Sequence, residues 1–348
     1  MLKKYLKKLK TICFGYKTSK CVGIDLSLFS SKMVELIDNS LVIDKYSLMD
    51  TKKKVFSSLE IINIEQSAEH ISRQWDLLKP DATSAAISIS HNSIIVKEFE
   101  IPNIPNKYKQ YDHIKNLISA DIAIDEIDFD YTISIQSDKI LAKVVIGKKE
   151  KLEEYLAMVQ MAGLNLAAID VDSMAVAGLL GELINRYQIN QSTIFLDIGS
   201  EFIRAYVFIG GKYVIYRDLN CNINQALFDV WLNISDQEQI DCNRLYKYLA
   251  DNIVEAQKVT DFVLEQYDLL FNTLKNSLLL EKQISLSPQS AVYLFGGNSL
   301  LPGFKEKLSN KHSGEVHFIS DLLPENKHIP QDKLLRLVTA MSLAMWGN

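Results

Sequence analysis

Apolar and polar positions change period repeatedly along the chain, and each change marks an expected element. Residues 21–26 (CVGIDL), 32–37 (KMVELI) and 41–47 read as three successive strands joined by tight turns. A helical period over 65–78 ends at Pro80. Strands follow at Ala85–Ser90 and Ile94–Ile101, then a loop opened by Pro102 and Pro105, and a helix over roughly 106–120. Alternation resumes at 129–136 and 140–147, and 150–162 is an amphipathic helix stopped by Gly163.

The pattern then repeats. Ala167–Asp170 is a short strand, and 172–187 is a helix rich in small residues. TIFLDI (193–198) follows, with strands at 203–209 and 212–218. A strand ending in Asp, a short polar loop and a hairpin thus occur twice. Helical stretches at 222–232 and 239–283, a strand at 291–295 with the loop Gly-Gly-Asn, a helix starting near Pro302 and a last helix over 332–346 complete the chain. Strands alternating with helices predict an α/β fold with a duplicated lobe.

Length and charge narrow the function. The 348 residues, 47% hydrophobic and 23% charged, suffice for two core-bearing lobes. A net charge of -5 argues against a nucleic-acid partner. None of the four cysteines, Cys13, Cys21, Cys221 and Cys242, sits in a CxxC pair, so reduced cytosolic thiols are expected. His312 and His317 lack partners at metal-ligand spacing, and the acidic run from Asp121 to Asp130 reads as a solvated loop. No apolar run approaches the roughly 20 residues of a spanning helix. Residues 1–20 carry seven lysines and no acid. Leu2, Tyr5, Leu6, Leu9, Ile12 and Cys13 recur at helical spacing, so residues 1–13 could lie on an anionic membrane surface, pack on their own domain or form a frayed tail.

Three segments carry candidate chemistry. Gly23-Ile24-Asp25-Leu26-Ser27 precedes Ser30, Ser31 and Lys32; Leu196-Asp197-Ile198-Gly199-Ser200 is the second copy; Phe295-Gly296-Gly297-Asn298 precedes a helix. Two tight turns facing each other can wrap a triphosphate with backbone N–H groups and small hydroxyls. An Asp at each strand end can orient the waters around Mg²⁺. A Gly-Gly turn lets backbone approach a nucleoside that side chains would block. Each segment alone also fits a plain turn; their order along the chain is what suggests a nucleotide cleft.

GIDLSLFSSKMVEL resembles the first phosphate segment of the PilM family, FLDIGSEFIRAYVFIGGKYVIYRDL its second, and FGGNSLLPGFKEKL its adenosine segment. IPNIPNKYKQYDHIKNLISADIAIDEIDFDYTIS and VVIGKKEKLEEYLAMVQMAGLNLAAIDVDSMAVAGLL are similar to two less generic stretches of that family. The resemblance runs from about Lys20 to the end. It implies a two-lobed actin-like fold, a duplicated ribonuclease H-like unit with the differently placed IC subdomain shared with FtsA. Subdomain IA would comprise 21–83, 170–190 and 331–348; IC 84–169; IIA 191–235 and 286–330; and IIB 236–285.

The resemblance also implies ATP or ADP with Mg²⁺. Asp25 and Asp197 would hold the metal through water. Ser27, Ser30 and Lys32 would line the first phosphate turn, Gly199 and Ser200 the second, and Gly296, Gly297 and Asn298 the nucleoside. Asp172 would orient the attacking water. Leu28 and Phe29 stand where the family favours small polar residues, and Ile203 where many relatives carry Thr. Only Glu265 and Lys275 could frame the base. Weak or vestigial ATP binding, with no significant turnover, is therefore expected. The implied role is a cytoplasmic scaffold, peripheral at the inner face of the bacterial inner membrane, in a type IV pilus assembly platform. Its implied partner is the N-terminal peptide of a PilN-like bitopic membrane protein, bound between IA and IC. Tyr108, Tyr111, Ile114 and Leu117 are candidates for that contact, or an ordinary core stripe. An active ATPase, a membrane-tethered filament protein resembling FtsA or MreB, and a type II secretion platform protein are the alternatives.

Overall fold

A computed structural model describes residues 20–347, apart from 39, 52–54, 58, 137–138 and 238–239. The basic segment 1–13 therefore lies outside the described residues. β1 (Val22–Leu26), β2 (Ser30–Leu36) and β3 (Ile43–Asp50) form an antiparallel meander. α1 (Ile64–Leu78) is capped by the Asn63 side chain, which accepts the Gln66 N–H, and leads to β4 (Ser84–Ile89), parallel to β1. β5 (Ile94–Ile101), α2 (Lys107–Ser119), β6 (Ile127–Gln136) and β7 (Lys139–Lys148) then make a separate three-stranded antiparallel layer in the order β5-β7-β6. α3 (Lys149–Met161) and β8 (Asn165–Val171) return the chain to the first sheet, whose order is β3-β2-β1-β4-β8.

α4 (Asp172–Arg186) crosses to the second unit, β9 (Thr193–Ile198), β10 (Phe202–Ile209) and β11 (Lys212–Asn220). α5 (Ile223–Leu232), α6 (Cys242–Asp251) and α7 (Ile253–Lys282) come next. β12 (Ala291–Phe295), α8 (Phe304–Lys311) and β13 (Val316–Phe318) close the second sheet, order β11-β10-β9-β12-β13. The two five-stranded sheets repeat one plan, an antiparallel meander extended by parallel strands. α9 (Gln331–Leu334) and α10 (Val338–Ala344) follow.

Strand parity explains the layering, because successive side chains point to opposite faces. Val22, Ile24 and Met33 face a core shared with α1 and α3. Ile194, Leu196, Ile198, Ile203 and Ala205 face the core covered by α5–α8. The inner faces of both sheets, through Val34, Leu36, Phe195, Tyr206 and Phe208, enclose α4 and α10 in a third core. Gly23 sits on an inner face, where a Cβ would come 1.9 Å from the Ala340 carbonyl oxygen, so α10 lies backbone-close on β1. This is the two-lobed actin-like fold with an IC-type layer.

Several details depart from the sequence expectations. The stretch 84–169 is divided: β4 and β8 belong to the first sheet and α3 packs on α1, leaving 94–148 as the separate layer. The helical stretch 239–283 is broken at Asn252 into α6 and α7. The last helix is interrupted at 335–337, where the Leu335 carbonyl accepts the Gly296 N–H at 2.9 Å and Arg336 is turned toward the cleft.

Candidate functional site

The same parity that buries Ile24 and Ile198 on outer faces turns Asp25 and Asp197 inward, toward each other across the gap between the lobes. A cleft forms there. All of Asp25, Ser27, Ser30, Lys32, Asp172, Asp197, Gly199, Ser200, Gly296, Gly297 and Asn298 line it. The floor is the start of α4, and the rim is the turn after β12.

The carboxylates are not free. Lys32 stands opposite Asp25 in the β1–β2 register, and its Nζ lies 3.0 Å from Asp25 Oδ2 while donating to Ser27 Oγ at 2.5 Å. In the second lobe Arg204 stands opposite Asp197, and its Nη1 donates to Asp197 Oδ2 at 3.1 Å. Arg204 Nη2 donates to Asp172 Oδ2 at 3.2 Å, so one guanidinium joins the inter-lobe helix to the second sheet. Asp172 Oδ1 accepts the N–H groups of His91, at 2.9 Å, and Ser173, at 2.6 Å. Burial pushes the Asp197 carboxyl above the ordinary range, and Arg204 opposes that shift.

The rim is closely fitted. Gly296 has φ of +84°, and a Cβ there would lie 2.3 Å from Asp197 Oδ1 and 2.6 Å from the Ile198 carbonyl oxygen. Asn298 is held from both ends: its Nδ2 donates to the Gly199 carbonyl at 2.8 Å, and its Oδ1 accepts from Tyr246 Oη at 2.5 Å. Arg336 Nη2 donates to Ser30 Oγ at 3.2 Å.

Two inferences about side chains fail on geometry. Ile203 is not a cleft residue that has lost a hydroxyl; it is fully buried in the outer core, and the inward neighbour is Arg204. Glu265 and Lys275 do not line the cleft, and the Lys275 ammonium lies over the Phe271 ring. From the helical region the cleft takes Cys242 and Tyr246 of α6 instead. Sequence reading also missed Arg204 and Arg336. The spacing of seven residues in both Asp25–Lys32 and Asp197–Arg204 would have flagged Arg204.

The donor set sorts its ligands. Arg336 and the serines of the two turns are the donors left for an anion such as a phosphate chain, since Lys32 and Arg204 are engaged by the cleft aspartates. A hydrated divalent cation does not suit the carboxylates as arranged. At roughly 5 Å from the guanidinium it would be repelled by about 7 kcal/mol at an effective dielectric near 20.

The proposed partner stripe on α2 also divides. Ile114 is fully buried in the core of the small layer, so it has no surface to offer a peptide. Tyr111 stacks on Phe129 with centroids 4.8 Å apart, and Leu117 is half-buried. Tyr108 is 84% exposed. No helix among the described residues is long and apolar enough to cross a membrane.

Among solved structures the chain is similar to a PilM–PilN type IV pilus biogenesis complex, with TM-score 0.74 at 17% identity over 94% of this chain and 98% of that one. It is also similar to the ethanolamine utilization protein EutJ from Carboxydothermus hydrogenoformans, with TM-score 0.54 at 17% identity over 97% and 94% of the two chains. Compared with curated protein sequences, it matches none. The family model for the type IV pilus assembly protein PilM matches residues 23–345. With that match spanning both Asp-ended hairpins, the small layer and the Gly-Gly-Asn turn, the chain belongs to the PilM family of type IV pilus assembly proteins.

Proposed function

We propose that this protein is a scaffold of the type IV pilus assembly platform, working at the cytoplasmic face of the bacterial inner membrane. Its partner is the cytoplasmic N-terminal peptide of a PilN-like bitopic protein. The observation that carries this reading is the near-complete similarity to the pilus complex that contains PilN, small layer included. The peptide would lie between the first sheet and the small layer, with Tyr108 as an exposed anchor and Tyr111 and Leu117 behind it. Main-chain pairing plus apolar pockets is the recognition mode such a groove supports. The basic segment 1–13 would add attraction to anionic lipid.

In this reading the cleft binds ATP or ADP weakly and turns it over slowly or not at all. Supporting it, the three acids expected to hold a metal or a water, Asp25, Asp172 and Asp197, are each paired with a cation of the chain itself. Hydrolysis depends on placing water and charge accurately, and small misplacements are expensive.

The test is binding of synthetic N-terminal peptides from bitopic membrane proteins encoded beside this one, by calorimetry. Saturable binding that weakens in Tyr108→Ala supports the scaffold, and failure of every peptide sinks it. A parallel thermal shift with Mg-ATP should be small. A large shift abolished by Asp25→Ala would favour the working ATPase instead.

A further inference from the structure

The cleft carboxylates differ from free metal ligands in a way that can be followed oxygen by oxygen. Asp172 has both oxygens engaged, Oδ1 by two backbone N–H groups and Oδ2 by Arg204. Asp197 has Oδ2 on Arg204, and Oδ1 faces Gly296 so closely that even a methyl would not fit. Asp25 has Oδ2 on Lys32, whose other contact is Ser27. Mg²⁺ keeps several waters when bound and holds carboxylates in near-octahedral geometry, often through those waters. It needs carboxylate lone pairs facing the cavity, and here Arg204 occupies one oxygen each of Asp172 and Asp197 and Lys32 one oxygen of Asp25.

We propose that Arg204 is the resident cation of this cleft, bridging Asp172 and Asp197 and excluding a divalent metal from between them. Arginine suits the post because it stays charged when buried and its planar fork reaches two carboxylates at once. Lys32 repeats the arrangement on Asp25, at the same cross-strand position of the first lobe. The chain itself thereby supplies the counter-charge to the three cleft aspartates. This inference rests on reading the cleft as a nucleotide-type site, but it needs neither nucleotide nor pilus partner to test.

The experiment is a Mn²⁺ titration of the full chain followed by electron paramagnetic resonance, with circular dichroism to confirm folding. Each protein is compared with its Asp197→Asn counterpart, so that surface binding, such as at the acidic group Glu35, Asp44 and Asp81, cancels. The native chain is expected to show no Asp197-dependent Mn²⁺ binding. Arg204→Gln, which is shorter, stays polar and removes the charge, should gain it, tightening the apparent affinity at least about tenfold. Arg204→Lys, which keeps the charge, should not. Asp197-dependent binding by the native chain, measured against a folded Asp197→Asn, would overturn the proposal. So would a folded Arg204→Gln that binds no more metal than the native chain.

Discussion

Asp197 Oδ2 accepts a hydrogen bond from Arg204 Nη1 at 3.1 Å, directly across the β9–β10 ladder. The relationship matters because Arg204 also holds Asp172, at the first turn of α4, so a single side chain ties the inter-lobe helix to the second sheet. Loss of that guanidinium would leave two acids in a poorly solvated cleft without their direct ion-pair partner.

Arg204→Ala should therefore destabilise the protein by roughly 3–5 kcal/mol, the cost of stranding buried charge. Urea unfolding at neutral pH measures it. Adding Asp197→Asn should recover part of the loss, because one stranded charge disappears. Additive losses in the double variant would show that the two residues do not interact.

Gly296→Ala should cost roughly 1–3 kcal/mol from the positive-φ, extended-ψ backbone alone, and more from contact with Asp197 and Ile198. A thermal melt detects it. Gly297→Ala, where the nearest atom to a new Cβ is Tyr246 Oη at 3.5 Å, should be far milder. Equal effects at both positions would contradict the described rim.

Asp170, at the end of β8, accepts a hydrogen bond from Trp346 Nε1 at 2.8 Å. Burial pushes its carboxyl up to about 6. A raised folded value means the folded state holds the proton more tightly than the unfolded one. Its contribution to stability is thus fully present below the unfolded value near 4 and lost as pH rises through about 6. Asp170→Asn, which keeps the acceptor for Trp346, should raise stability at pH 8 by roughly 2–3 kcal/mol and leave it little changed at pH 4. A gain independent of pH would refute this.

Ile114→Ala should lower stability by about 2–5 kcal/mol, as core truncations do. Tyr108→Ala, at an exposed position, should leave the melting temperature unchanged and affect only peptide binding. A stability loss at Tyr108 or none at Ile114 would reverse the division of the α2 stripe.

The sequence made the fold legible where parity and punctuation agree. Asp25 and Asp197 end strands whose alternate residues are plainly apolar, so both the strands and the inward aspartates could be read. Arg204 was hidden because its importance lies in a cross-strand register, which no single-strand pattern expresses. Ile203 was misjudged for the same reason: without the register, one position of slip exchanges core and cleft. Glu265 and Lys275 show another limit, since amphipathic periodicity does not tell which turn of α7, or of α6 before it, reaches the site. Arg336 depends on a break in a helix-forming stretch, produced by the Leu335 carbonyl accepting the Gly296 N–H from about 40 residues earlier.

The close seating of α10 on Gly23 bears on how the protein is born. Strand β1 leaves the ribosome roughly 320 residues before the backbone it rests on. At about 5–20 residues per second, that separation is tens of seconds of synthesis. Through most of that interval the inner side of the first sheet has at most α4 to cover it, and translation through Ala344 supplies the helix that completes it.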